Sequence, residues 1–150
     1  HSYMRRRLHL VLALLLTVVS MALAAGAAES LIQQGYEQTK EGKLDDALAT
    51  LQRAVQVEPD SSLAYTRLGG VQLLRQEYSA GVKSFQQAIM LDQKNSAAFV
   101  GMGMAYLHMG QHSLARQAMI EAEKLDPSKK PEIDKVLTWI DQRASSDTGH

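Results

Sequence analysis

The feature that most constrains this chain is a period of 34 residues. Gly35, Gly69 and Gly103 recur at that interval, and so do Ala54, Ala88 and Ala122. Leu31, Tyr65 and Phe99 keep the same spacing, as do Leu51, Phe85 and Met119, and then Val57, Leu91 and Leu125. Ala47, Gly81 and Ala115 form a small-residue column, and Pro59, Gln93 and Pro127 close the units. So many columns in register mark three copies of one supersecondary unit. Such a unit cannot bury its apolar face alone and has to stack on its neighbours.

Each unit reads as two helices. In the first, a helix from Ala28 to about Glu41 is followed by a turn at Gly42 and a second helix from Leu44 to about Val57. Pro59 stops that second helix, because proline lacks an amide hydrogen and its ring pushes the preceding residue out of the helical region. The small columns let the two antiparallel helices approach closely, and the large apolar columns fill the space between neighbours. Asp45, Ser79 and Ser113 stand near the start of the second helices, where a side-chain oxygen is expected to cap free amides. Aromatics make up only 5% of the chain, and helix-forming Ala, Leu, Gln and Met are plentiful. The expected fold is therefore all-α, and 150 residues suffice for one domain.

The head of the chain has a different character. Met4 is followed by Arg5, Arg6 and Arg7, an apolar run from Leu8 to Val19 broken by His9 and Thr17, and small residues through Ala28. That order is the pattern of a secretory signal peptide over residues 1–27, with Ala22-Leu23-Ala24 and Ala25-Gly26-Ala27 both open as cleavage sites. His1, Ser2 and Tyr3 precede Met4 and are set aside as a remnant. The alternative is an uncleaved anchor over residues 8–25, about as long as a bilayer requires. Either way the repeats are expected beyond the membrane, in a periplasm or at the outer face of an inner membrane.

At this point the sequence resembles the tetratricopeptide repeat family, whose unit of 34 residues is helix, turn and helix. The third unit keeps the family pattern best, in Phe99, Met102-Gly103, Tyr106, Ala115, Met119, Ala122 and Pro127. The second departs at Gly81 and Gln93, and the first has Gln34 and Gln38 where apolar residues are usual. The resemblance implies a right-handed α-solenoid of three helix-turn-helix units, 28–61, 62–95 and 96–127, and a protein-binding role. Residues 128–150 then supply a capping helix, with Ile133, Val136, Leu137 and Ile140 at helical spacing beside Trp139, and a polar tail from Ser145 to His150.

Several chemistries find no support in the residue pattern. There are 16 basic and 16 acidic residues, and without the three N-terminal arginines the balance is 13 against 16, a mildly acidic body with no basic stripe for nucleic acid. With no cysteine there is no disulfide, thiolate metal site or thiol nucleophile. His108 and His112 lie four apart, but Gly110 between them places them on either side of a turn rather than on one metal-binding face. Met102, Met104, Met109 and Met119 could suggest thioether ligation of copper, yet two of them stand in columns filled elsewhere by apolar residues, which points to packing. Gly101-Met102-Gly103 lies in mid-helix, without the strand that a dinucleotide fingerprint follows. Neither catalysis nor a cofactor is expected.

By the resemblance, the first helix of each unit lines a concave groove. The positions facing it are Ile32, Gln33, Tyr36 and Lys40, then Thr66, Arg67, Gly70 and Leu74, then Val100, Gly101, Met104 and His108. Chaperone-binding members clamp a peptide carboxylate with Lys, Asn and Arg. The corresponding places here hold Ile32, Tyr36, Thr66, Ala97 and Gly101, which speaks against that clamp and leaves Arg67 as the central strong cation. The expected partner is a protein or peptide segment held in a largely apolar strip. A second covering stays open at this level: the protein itself, through a homo-oligomer or the N-terminal segment.

The export pattern makes a direct prediction. Replacing Arg5, Arg6 and Arg7 with Glu should strand the precursor inside the cell, since the basic stretch orients the apolar one. Cell fractionation checks this, and undiminished export of the variant counts against the reading.

Overall fold

In a computed structural model of the protein, residues 1–148 are described, and seven α-helices account for nearly all of them. They are α1 (Ser2–Lys40), α2 (Leu44–Val57), α3 (Ser62–Leu74), α4 (Tyr78–Leu91), α5 (Ser96–His108), α6 (His112–Leu125) and α7 (Lys130–Thr148). A single 3-10 turn, Pro127–Lys129, joins α6 to α7. No strand occurs among the described residues. The end of α1 pairs with α2, α3 with α4 and α5 with α6, while α2 with α3 and α4 with α5 stack one unit on the next and α7 closes the end. The architecture is the α-solenoid of three helix pairs and a capping helix that the repeat implies.

Glycine decides how each pair closes. A Cβ at Gly35 would lie 2.5 Å from the Leu51 side chain, one at Gly69 2.8 Å from the Phe85 ring, and one at Gly103 2.9 Å from Met119. Two columns of the repeat thus meet as partners inside each unit, and Leu51, Phe85 and Met119 are almost wholly buried as a result. Burial of each such side chain is worth about 1.5 to 3 kcal/mol. Phe85 also reaches the next unit, where a Cβ at Gly101 would lie 2.3 Å from the ring.

The turns within the units share one backbone geometry. Gly42, Gln76 and Gly110 stand 34 residues apart and have φ of +78°, +63° and +74°. Glycine enters that left-handed region freely, so the second unit holds Gln76 there against a preference of roughly 1 to 2 kcal/mol. The breaks between units use extended residues, with Glu58 before Pro59 at φ −134°, ψ 84° and Asp92 at φ −145°, ψ 102°.

Capping differs from the sequence expectation. The second helices begin at Leu44, Tyr78 and His112, so Asp45, Ser79 and Ser113 already lie inside the first turn, and the residues ahead of these helices make no side-chain cap bond. It is the first helices of the second and third units that are capped. Ser61 Oγ accepts the amide of Ala64 at 3.1 Å, and Asn95 Oδ1 accepts that of Ala98 at 3.0 Å. Asn95 also donates through Nδ2 to Ser62 Oγ at 2.9 Å and Thr66 Oγ1 at 2.8 Å, tying the second unit to the third.

The first helix differs more. It does not start at Ala28 but runs unbroken from Ser2, taking in the apolar head and two of the three residues set aside before Met4. In the capping column of Ser61 and Asn95 the first unit has Ala27, which offers no oxygen to end a helix. Ala28 and Ile32 are buried in the first unit, whereas the apolar side chains from Tyr3 to Leu23 are exposed. At the other end, α7 begins at Lys130 and extends through Thr148, so Ser145 to Thr148 of the expected tail are helical, and Gly149 and His150 lie outside the described residues. Ile133 and Ile140 are buried, and Ile133, Val136 and Leu137 close over Met119 and Ala122 as a cap should.

Two adjacent glycines give a prediction of opposite signs. Gly69→Ala drives a methyl against the buried Phe85 ring and should cost about 1 to 3 kcal/mol. Gly70→Ala meets nothing within 4 Å and should stabilise the helix by about 0.5 to 1 kcal/mol. Equilibrium urea unfolding of the two variants checks this, and destabilisation by both would show that the column does not act through contact with Phe85.

Candidate functional site

The concave surface holds a groove of about 350 Å³ where the first helices of the three units converge. From α1 come Tyr36 and Thr39, from α3 Thr66, Arg67, Gly70 and Leu74, and from α5 Ala97, Val100, Gly101 and Met104. The period explains the convergence, since positions a unit apart point the same way when the units stack. Phe85, from the second helix of the middle unit, forms part of the floor because Gly101 has no side chain in its path.

Arg67 is the charged side chain among these lining residues. Its guanidinium lies 4.2 Å from the centre of the Tyr36 ring, and Lys40 sits over the same ring at 5.0 Å. The ring of the first unit thereby positions the arginine of the second. Arg67 Nε is buried and has no hydrogen-bond partner among the described residues. A buried donor left unpaired is costly, and this one faces the protein interior rather than the groove.

The structure separates the other expected groove positions. Ile32 is 9% exposed and packs against Ala54 and Ala64, so it belongs to the core. It and Gln33 edge a neighbouring cleft with Ala25, Glu29, Glu58 and Leu63, and Gln33 Nε2 donates to Glu37 at 3.0 Å. Lys40 pairs with Glu37 at 3.7 Å at the rim. Thr66 lines the groove, but its hydroxyl donates to the Ser62 carbonyl and accepts from Asn95. Met104 reaches both the groove and the cluster around Met119 and Ile133. His108 lies outside the groove, stacked on Tyr78 with ring centres 4.9 Å apart.

His112, at the start of α6, meets the Trp139 ring edge-on at 5.9 Å, so the two histidines have separate aromatic neighbours. Met119 fills the space beside Gly103, and Met102 packs with the Phe85 cluster. Thr39, Leu73 and Phe85 line the groove without having been anticipated. Thr39 was legible in principle, one turn beyond Gly35 and Tyr36 on the same helix. Phe85 was not, because its access depends on the stacking of the next unit.

With this geometry in view, residues 28–61 and 96–129 match the family model described as the tetratricopeptide repeat. The chain is 32% identical over 82 residues to anaphase-promoting complex subunit 3 of Schizosaccharomyces pombe, covering 55% of this chain and 12% of that protein. It spans about a tenth of the length of that relative and of the protein bimA of Emericella nidulans. The second TPR domain of human RPAP3, solved in complex with the HSP70 peptide SGPTIEEVD, superimposes with a TM-score of 0.72 at 26% identity, covering 81% of this chain and 98% of that one. The type III secretion translocator chaperone SycD of Yersinia enterocolitica gives a TM-score of 0.76 at 19% identity over 81% of this chain and 88% of that one, a likeness of fold alone. Two units match the family model, and the middle one is built on the same columns and the same helix pair, so the chain carries tetratricopeptide repeats.

Proposed function

We propose that this protein is a non-enzymatic adaptor or assembly factor that holds an apolar segment of a partner protein in its concave groove, with an acidic group of that segment seated at Arg67. One observation carries the reading: a groove lined by apolar and small side chains contains Arg67, braced by Tyr36 and without an ion pair among the described residues. A guanidinium held by an aromatic ring is suited to a carboxylate, because its planar fork offers paired donors. The bound peptide SGPTIEEVD in the human RPAP3 domain, itself acidic and in part apolar, supports a peptide partner. The remaining positions proposed for contact are Tyr36, Lys40, Leu74, Val100 and Met104, with Ile32, Gln33, Thr66 and His108 acting through the fold around the groove.

The place of action proposed is outside the cytoplasm. Three arginines, an apolar run and an Ala-rich end precede the repeats, and α1 is long and apolar enough to cross a membrane. The repeats then face the envelope in which the partner is sought. A mature N-terminus near Ala25 or Ala28, read by mass spectrometry of protein from its native cell, supports cleaved export, and an intact one favours a second reading, a structural subunit of a larger envelope complex anchored by residues 8–25.

Affinity capture from the native cell envelope tests the groove. Arg67→Gln and Leu74→Ser should each lower recovery of the partner at least tenfold while helical content is kept, since Leu74 is 57% exposed and Arg67 makes no ion pair among the described residues. Lys83→Ser with Gln87→Ser, on the second helix of the middle unit, should bind as the wild type does. Equal capture by all of these folded variants would overturn the proposal.

A further inference from the structure

A second and larger trough, of about 680 Å³, lies between α4 and α6. Its floor is Phe99, Met102 and Tyr106 of α5, and its walls carry Ile89 and Met90 on one side and Leu114 and Ala118 on the other. Met90 is 75% exposed and Leu114 41% exposed. The protein contains its own comparison, since subtracting one period gives the residues at the junction of the first two units. There Met90 is matched by Gln56, Tyr106 by Gln72, Leu114 by Ala80 and Ala118 by Ser84. Ser84 Oγ donates to Gln72 Oε1 at 2.5 Å, so that junction satisfies itself with polar groups. Stacking of units therefore does not require an apolar trough here, and at the second junction the polar pair is replaced by apolar surface left open among the described residues.

The lining also limits what can enter. The walls are helices, whose backbone groups are already paired, so an occupant is held through its side chains. A helix brings its own backbone hydrogen bonds, and its side chains fit as ridges between neighbouring helices. Glu121 is the charged residue of the lining and makes no ion pair among the described residues. We propose that this trough is a second docking site, separate from the concave groove, for an amphipathic helix of a partner protein whose apolar face enters between α4 and α6 and whose Lys or Arg meets Glu121.

The test uses the full chain, carried by its N-terminal helix in a lipid nanodisc, with its methionine methyls labelled for NMR. The probe is a short acetylated and amidated helical peptide with Leu at i, i+3, i+4 and i+7 and a single Lys at the edge of that face. Addition should shift the methyls of Met90 and Met102 while leaving those of Met104 and Met119 in place. The peptide with Glu for Lys should bind at least tenfold more weakly, and Glu121→Lys should reverse that preference. Met90→Gln with Leu114→Ala installs residue types that the other junction already accommodates and should abolish the shifts, with the buried Met119 methyl reporting an intact fold. Shifts confined to Met104, equal binding by the Met90→Gln, Leu114→Ala variant, or no shift at any methyl would overturn the proposal. A Met90 shift that follows protein concentration without peptide would overturn it too, in favour of a second copy over this face.

Discussion

The close approach of the two helices in each unit, made by glycine against a large apolar partner, is the constraint on which the rest of the structure depends. Gly35 admits Leu51, Gly69 admits Phe85 and Gly103 admits Met119. A methyl at any of these glycines would fall inside the partner's van der Waals surface, so the pair would have to separate or the partner turn away. The identity of the large residue varies from unit to unit, but the lack of a side chain opposite it does not. Packing tolerates a change of shape on one side while the volume across the contact is kept, which accounts for a repeat that preserves the small column more strictly than the large one.

The groove follows from the same contact. When the second helices send their large side chains inward, the opposite faces of the first helices turn towards the concave side and bring Tyr36, Arg67 and Met104 together from three units. The arrangement is cooperative, because Arg67 owes its position to a ring in the preceding unit and Thr66 owes its hydrogen bonds to Asn95 in the following one. Loosening one junction would therefore misplace the charge without touching it, as expected of an array in which each unit interacts with its neighbours alone.

The capping pattern shows how local chemistry sets boundaries that periodicity does not. Ser61 and Asn95 begin the first helices of the second and third units, and both supply a side-chain oxygen to a free amide. The first unit has Ala27 in that column, and α1 passes through the position without a break. A rigid helical connection between the apolar head and the first unit is the consequence. Its apolar side chains up to Leu23 make no core of their own, while Ala28 and Ile32, a turn or two later, are fully engaged in one.

The repeat, its three helix pairs, their small and large columns and the closing helix were all written in the spacing of residues, because each depends on which side chains recur on a helical face. Tyr36, Arg67, Gly70, Leu74, Val100 and Met104 were legible as groove residues for the same reason. Ile32 packs against Ala54 and Ala64 and His108 stacks on Tyr78, contacts between elements that spacing along one helix cannot report. Asp45, Ser79 and Ser113 do not cap because the second helices begin two residues earlier in each unit than a capping role needs. The sequence by itself determined the fold, since burial of a periodic apolar face has one economical solution when the period is a helix pair. Only the tertiary structure decided that Arg67 lies across Tyr36 with a donor unpaired, and that the second junction between units leaves an apolar trough where the first closes with a hydrogen bond, because both depend on distances between residues of different units.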